Sequence, residues 1–235
     1  MKRLLAVFMA LAVGAGAYAQ NPAHTTAEPQ SYKAGKTDLA IATPVTDMVE
    51  VGYDVRERME LFVPATNRLL AAFVPARDMA LLADGQPPAG LKRYAMAQIP
   101  RQSEYVDIES REFAALVETV KAQFTGPQAS DAFQSARQEL NRRLKSMDVE
   151  TPAPVAEPGQ LAPFFSKEDA YGFGMVSAVS IGDKTTDVAM GGAVVRLKKK
   201  VVFLYLYTEY RQEETMTWLR RATEQWTNAL LALNK

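Results

Sequence analysis

Short unbroken apolar runs alternate along this chain with longer stretches in which apolar residues recur at helical spacing. From Glu109 to Phe124, the residues Phe113, Leu116, Val117, Val120 and Phe124 fall three or four apart, which predicts an amphipathic helix that Gly126-Pro127 ends. A second helix is expected from Ser130, a plausible cap, with Phe133, Ala136, Leu140, Leu144 and Met147 on one stripe. Val55, Met59 and Phe62 mark a shorter helix over Asp54 to Phe62, and Asp78 to Leu82 has room for one helical turn. A long terminal helix over Gln212 to Leu233 should bury Trp218, Leu219, Ala222, Trp226, Ala229, Leu230 and Leu233. Its first turn carries Glu213 and Glu214, where the backbone dipole favours negative charge.

The short runs predict five strands: Asn67 to Pro75, Leu91 to Pro100, Tyr171 to Ile181, Thr186 to Leu197 and Val201 to Thr208. The last is apolar on both faces, with Phe203, Tyr205 and Tyr207 pointing one way and Val202, Leu204 and Leu206 the other, so it should be central and covered on both sides. The turns at 182–185 and 198–200 are short enough to require antiparallel neighbours. The expected fold is therefore α+β: a mostly antiparallel sheet of about five strands, covered by helices on both faces, with a long C-terminal helix. Prolines 152, 154, 158 and 163 make residues 149–163 an extended connector within a single domain spanning 41–235.

The N-terminal end has a different pattern. Lys2 and Arg3 precede an apolar run from Leu4 to Val13, and small residues end in Ala17-Tyr18-Ala19, the order of a secretory signal peptide cleaved after Ala19. The run falls short of the ~20 residues that span a bilayer. There is no cysteine to acylate, so no stable membrane anchor is expected once residues 1–19 are removed. The polar, Pro-bearing segment 20–40 reads as a flexible leader that has too little to bury. The expected location is the periplasm or the exterior.

Composition narrows the chemistry. The absence of cysteine removes thiol nucleophiles, disulfides and thiolate metal sites, and the one histidine, His24, falls in the leader. Basic and acidic residues are 27 each, and loss of Lys2 and Arg3 leaves 25 against 27, a balance that argues against nucleic acid as partner. The basic cluster Arg137, Arg142, Arg143 and Lys145 reads as a solvated helix face. Asp183 and Asp187 lack the further ligands of a calcium loop, and neither Glu168-Asp169 nor Asp148 and Glu150 has a partner acid at fixed distance. No cofactor or metal ligand set is indicated.

One constellation remains. A two-residue loop at Asp183-Lys184 would place Ala178 opposite Ala189, Val176 opposite Gly191, Gly174 opposite Ala193 and Gly172 opposite Val195, which leaves one face of the hairpin nearly bare. If the 198–200 loop has three residues, Tyr205 leans over Ala193 and Tyr207 over Gly191; a loop of two or four would reverse the faces. Gly172, Gly174, Gly191, Ala193, Tyr205 and Tyr207 would then either pack together or line a groove for a small apolar ligand.

The segment KKKVVFLYLYTEYRQEETMTWLRRATEQWTNALLAL, a hydrophobic strand running into a Trp-rich helix, resembles the ending of an exported bacterial family of unknown function. NRLLAAFVP and RYAMAQIPR are similar to the same family. The likeness runs from about residue 45 to the C terminus, and its three layers resemble the PsbP-like architecture. That resemblance contains no catalytic motif and implies a binding or assembly factor, with an unknown protein or a small apolar ligand as partner. The alternatives are a carboxylate-dependent hydrolytic enzyme and a carrier of a small apolar ligand.

Expression in a Gram-negative host should yield a periplasmic product whose first residue is Gln20. Recovery of the intact Met1 form from the membrane fraction, identified by mass spectrometry, would contradict this.

Overall fold

The computed structural model describes residues 28–60, 62–83, 93–125, 138, 142, 155–156, 161–181 and 184–235. The expected signal peptide with its Ala19 site, residues 20–27 with His24, the stripe expected of a second helix and most of the Pro-rich connector lie outside them. In chain order the elements are β1 (Gln30–Ala34), β2 (Thr37–Ile41), β3 (Met48–Glu50), α1 (Tyr53–Glu60), β4 (Asn67–Pro75), α2 (Ala76–Ala83), β5 (Arg93–Pro100) and α3 (Ser110–Thr125). They are followed by β6 (Val155–Ala156), β7 (Ala162–Lys167), β8 (Ala170–Ile181), β9 (Lys184–Leu197), β10 (Lys200–Glu209) and α4 (Glu213–Leu233).

The main sheet has the order β3-β4-β5-β10-β9-β8-β6, with β7 also on β8, making eight strands rather than about five. Every pairing is antiparallel. The five long apolar runs form β4, β5, β8, β9 and β10. The additional strands are short edge pieces, two of them contributed by the Pro-bearing stretch, where a missing N–H is tolerated.

β10 occupies the centre because it can bury both its faces. On one face Phe203, Tyr205 and Tyr207 join Tyr94, Met96, Tyr171, Phe173, Met175 and Met190 in a core covered by α1 and α3. On the other face Val202, Leu204 and Leu206 join Ala95, Ala97, Ala189 and Ala193 beneath α4 and the β1–β2 hairpin. Trp226, 1% exposed, stands edge-on to Phe73 with ring centroids 6.0 Å apart, and its Nε1 donates to the Ala42 carbonyl at 2.8 Å. The buried stripe of α4 is Leu219, Ala222, Thr223, Trp226, Thr227 and Leu230. Trp218 is only half-buried, and Ala229 and Leu233, expected inside, are exposed.

The flexible-leader expectation for 20–40 is overturned from Gln30 onward, since β1 and β2 form a two-stranded sheet. Ala34, Leu39 and Ile41 are buried against α4 and the sheet. Few apolar residues are needed because side chains satisfy the free edge of β2. The carbonyls of Asp38, Ala40 and Ala42 accept from Lys198 Nζ, Asn234 Nδ2 and Trp226 Nε1 at 3.1, 2.8 and 2.8 Å, while the Ala40 N–H donates to Asn234 Oδ1 at 2.9 Å. The fold therefore begins before residue 41, and a truncation through residue 36 would remove β1.

Trp226→Ala should cost roughly 3–5 kcal/mol through the cavity and the lost indole hydrogen bond. A urea midpoint equal to that of the parent chain would refute this packing.

Candidate functional site

The β8–β9 hairpin closes with Ile181 opposite Lys184, and its register differs by two from the expectation: Val176 faces Ala189, Gly174 faces Gly191 and Gly172 faces Ala193. A shift of two preserves the faces. The next turn does not. Leu197 pairs with Lys200, leaving a two-residue turn instead of three, so Val195 opposes Val202, Ala193 opposes Leu204 and Gly191 opposes Leu206. Tyr205 lies opposite Gly192 and Tyr207 opposite Met190.

The six residues of the expected groove are thus divided. Tyr205 and Tyr207 belong to the face under α1 and α3, where Tyr207 stacks on Tyr94 at 4.6 Å and burial pushes both hydroxyls well above their ordinary pKa. Gly172, Gly174, Gly191 and Ala193 lie on the opposite face, and their bare backbone is occupied. A Cβ on Gly172 would meet the Phe165 ring at 2.2 Å, one on Gly174 would meet Phe164 at 2.1 Å, and one on Gly191 would meet Thr223 Oγ1 at 2.3 Å. Close packing of β7 and α4 fills the place assigned to a ligand.

A different arrangement stands out at the end of the sheet where β5 and β9 finish and β4 and β10 begin. The segment following β5 exposes Tyr105 and Val106 side by side, at 77% and 50%. Isolated exposed apolar residues need no explanation, but these two are held in a built frame. Glu104, 7% exposed, receives Nε of Arg68 at 3.2 Å and a second, shorter bond from the same guanidinium. Arg68 in turn reaches the Lys33 carbonyl on β1. The Val106 N–H donates to the Ser103 carbonyl at 3.1 Å. Lys200, 3% exposed, donates to the Val106 carbonyl at 3.1 Å and pairs with Asp107 at 2.9 Å. That buried ammonium is why the third lysine belongs to the strand and not to the loop. The Ile108 N–H donates to the Lys199 carbonyl at 2.8 Å.

Two tight turns flank the pair. The tip of the β1–β2 hairpin has Gly35 at φ 60°, and a Cβ there would lie 2.7 Å from the Glu104 carbonyl and 3.3 Å from Tyr105 Cδ1, so glycine is required both by conformation and by contact. The β9–β10 turn has Lys198 and Lys199 at φ 45° and 66°, the two left-handed positions of a type I′ turn, where Asn-Gly is the unstrained choice. Lys199 pairs with Glu109 at 2.7 Å, Lys33 with Asp38 at 2.8 Å, and Arg196 with Asp169 Oδ1 and Ser110 Oγ at 2.7 and 2.8 Å. Asp169 is thereby committed to Arg196, and no arrangement of it with Glu168 emerges. Among the described residues no three metal-ligating side chains converge, and no helix is long and apolar enough to cross a membrane.

The hydrogen bonds of Arg68 hold the Glu104 carboxyl below its ordinary pKa against the opposing effect of burial. Its stabilising contribution is complete above the unfolded value of about 4.3 and is lost as pH falls through the lower folded value. Glu104→Gln should cost about 1.5–3 kcal/mol at pH 7, the range for a hydrogen bond to a charged group. The gap from the parent chain should narrow in urea titrations below pH 4, and a constant gap across that range would contradict the assignment.

No family model and no curated protein matches the chain. Two solved structures show a distant likeness. One is a mutant of the protein Mog1, 13% identical with TM-score 0.29, over 88% of this chain and 93% of that one. The other is the Ran-binding protein Mog1p of Saccharomyces cerevisiae, 12% identical with TM-score 0.28 over the same shares. Likeness at this level establishes no common fold.

Proposed function

We propose that the protein is an exported, non-enzymatic binding or assembly module of the periplasm or cell exterior, and that its contact surface is the end of the sheet carrying Tyr105 and Val106. The observation that carries this reading is the exposure of an aromatic and an aliphatic residue side by side on a segment fixed by Glu104, Lys200 and the two flanking turns. Tyrosine is enriched among residues that dominate binding energy, and an anchor carried on a backbone already held in the free protein loses less conformational entropy on association. The polar groups beneath the pair support the same reading, because Glu104, Lys200 and Arg196 are spent on holding the segment. The carrier alternative loses its basis with the filling of the glycine face. The PsbP-like resemblance agrees with a module of this kind and remains part of the proposal.

Tyr105→Ala should leave the unfolding midpoint within about 0.5 kcal/mol of the parent chain, as exposed substitutions do. It should weaken capture of the partner from periplasmic extract by about 2 kcal/mol or more, if Tyr105 is an anchor residue. Undiminished capture of the same partner by Tyr105→Ala would refute this surface.

A further inference from the structure

The charges around Tyr105 point to the chemistry of what docks there. Among the described residues, the exposed carboxylates Asp38, Asp107 and Glu109 are matched to lysines: Asp38 to Lys33, Asp107 to Lys200 and Glu109 to Lys199. Lys36 at the hairpin tip and Lys198 in the β9–β10 turn are exposed and have no carboxylate partner among the described residues, and Lys198 Nζ donates only to the Asp38 carbonyl. The two lysines flank the apolar pair, since Gly35 beside Lys36 abuts Tyr105, and the main chain of Lys199 beside Lys198 bonds to Ile108.

A second, independent observation concerns the backbone. Lys198 and Lys199 both occupy left-handed conformations that lysine adopts reluctantly, in a turn where Asn-Gly would be free of strain. The turn thus carries two cations at a backbone cost that Asn-Gly would avoid, a cost offset in part by the Lys198 bond to β2 and the Lys199 pair with Glu109. Resting on the proposed binding role, we infer that this surface takes an acidic polypeptide segment bearing an apolar side chain. Tyr105 and Val106 would receive the apolar group, and Lys36 and Lys198 would face the carboxylates. A polypeptide fits better than a bilayer or a nucleic acid, because Asp38, Asp107 and Glu109 are each offset by a lysine and two unmatched lysines supply too little positive charge to hold an extended polyanion, whereas a short peptide can set a few carboxylates beside one apolar side chain.

The test uses the mature protein and three probes: a fluorescein-labelled acidic peptide of Asp and Glu with a central Leu-Phe pair, its counterpart with Lys in place of the acids, and phosphatidylglycerol vesicles. Fluorescence anisotropy should show the acidic peptide binding at least tenfold more tightly than the basic one. Binding should weaken about tenfold in the double variant Lys36→Glu, Lys198→Glu and also in Tyr105→Ala. The variant Lys198→Asn, Lys199→Gly separates a structural role from a binding one: it relieves the turn but removes the Lys198 and Lys199 side-chain bonds, so it should keep a cooperative urea transition near the parent midpoint yet weaken the acidic peptide several-fold. Equal binding of the two peptides, an Asn-Gly turn that binds as well as the parent, or vesicle binding with the same residue dependence would each overturn the acidic-polypeptide assignment. Capture of a cellular partner that depends on Tyr105 but not on Lys36 and Lys198 would overturn it as well while leaving the binding role in place. Indifference to Tyr105→Ala would instead remove the binding surface itself.

Discussion

The two-residue turn at Lys198 and Lys199 decides which side of the sheet each core residue serves. With Leu197 opposite Lys200, the aromatic residues of β10 share a face with Met190, Gly192 and Val194, and its leucines share the other with Gly191 and Ala193. One residue more in the loop would exchange these sets, because side chains in a strand alternate with a period of two. The consequences spread outward from there. The aromatic and methionine-rich face is thick and is covered by α1 and α3, whereas the Ala- and Gly-rich face is thin and lets α4 approach until Leu219 and Thr223 lie over Gly191. With α4 fixed at that depth, Trp226 and Asn234 are placed to hold β2, and the N-terminal hairpin becomes part of the fold.

How far the sequence could be read follows from the same constraint. The long runs of β4, β5, β8, β9 and β10 and the helical periods of α1, α3 and α4 were legible, because burial on one or both faces leaves a period that local composition does not obscure, although Phe62 lies beyond α1 and Ala229 and Leu233 of the expected α4 stripe are exposed. Asn67–Pro75 is bounded by the residues its pattern indicates. The groove was misread on account of a single residue: Lys200 looks like the end of a lysine loop, yet its ammonium is buried against Asp107 and the Val106 carbonyl and its backbone belongs to the ladder. The pairing of a cation with a carboxylate ninety-three positions away leaves no trace in a local window. The N-terminal hairpin was missed for a related reason. Its strands are five residues long and each opens on two polar residues, and what holds them is a set of side-chain donors contributed by Lys198, Trp226 and Asn234.

The surface at Tyr105 could not be seen in sequence either, and the cause is more general. A pattern method recognises apolar residues by recurrence, and Tyr105-Val106 is a single adjacent pair in a segment otherwise rich in polar residues. Its distinction lies in being exposed while everything beneath it is fixed, which only the positions of Glu104, Arg68, Lys200 and Gly35 establish. Rigid support and exposed apolar area have opposite signatures in composition, so their coincidence is a property of the tertiary structure.

The turn that sorts the core is also the one that carries Lys198 and Lys199 to the Tyr105 surface. Residues in left-handed conformations cost roughly 1–2 kcal/mol each relative to glycine, a sizeable share of the 5–15 kcal/mol by which domains are usually stable. Lys199 recovers part of that through Glu109, yet the pair is half exposed and exposed ion pairs contribute little. Lys198 gains one bond to a carbonyl. The fold therefore uses a tight turn for register but fills it with residues that weaken it. The acidic partner inferred for this surface would require the charge of that turn separately from its geometry, beyond the bonds that Lys198 and Lys199 make within the fold.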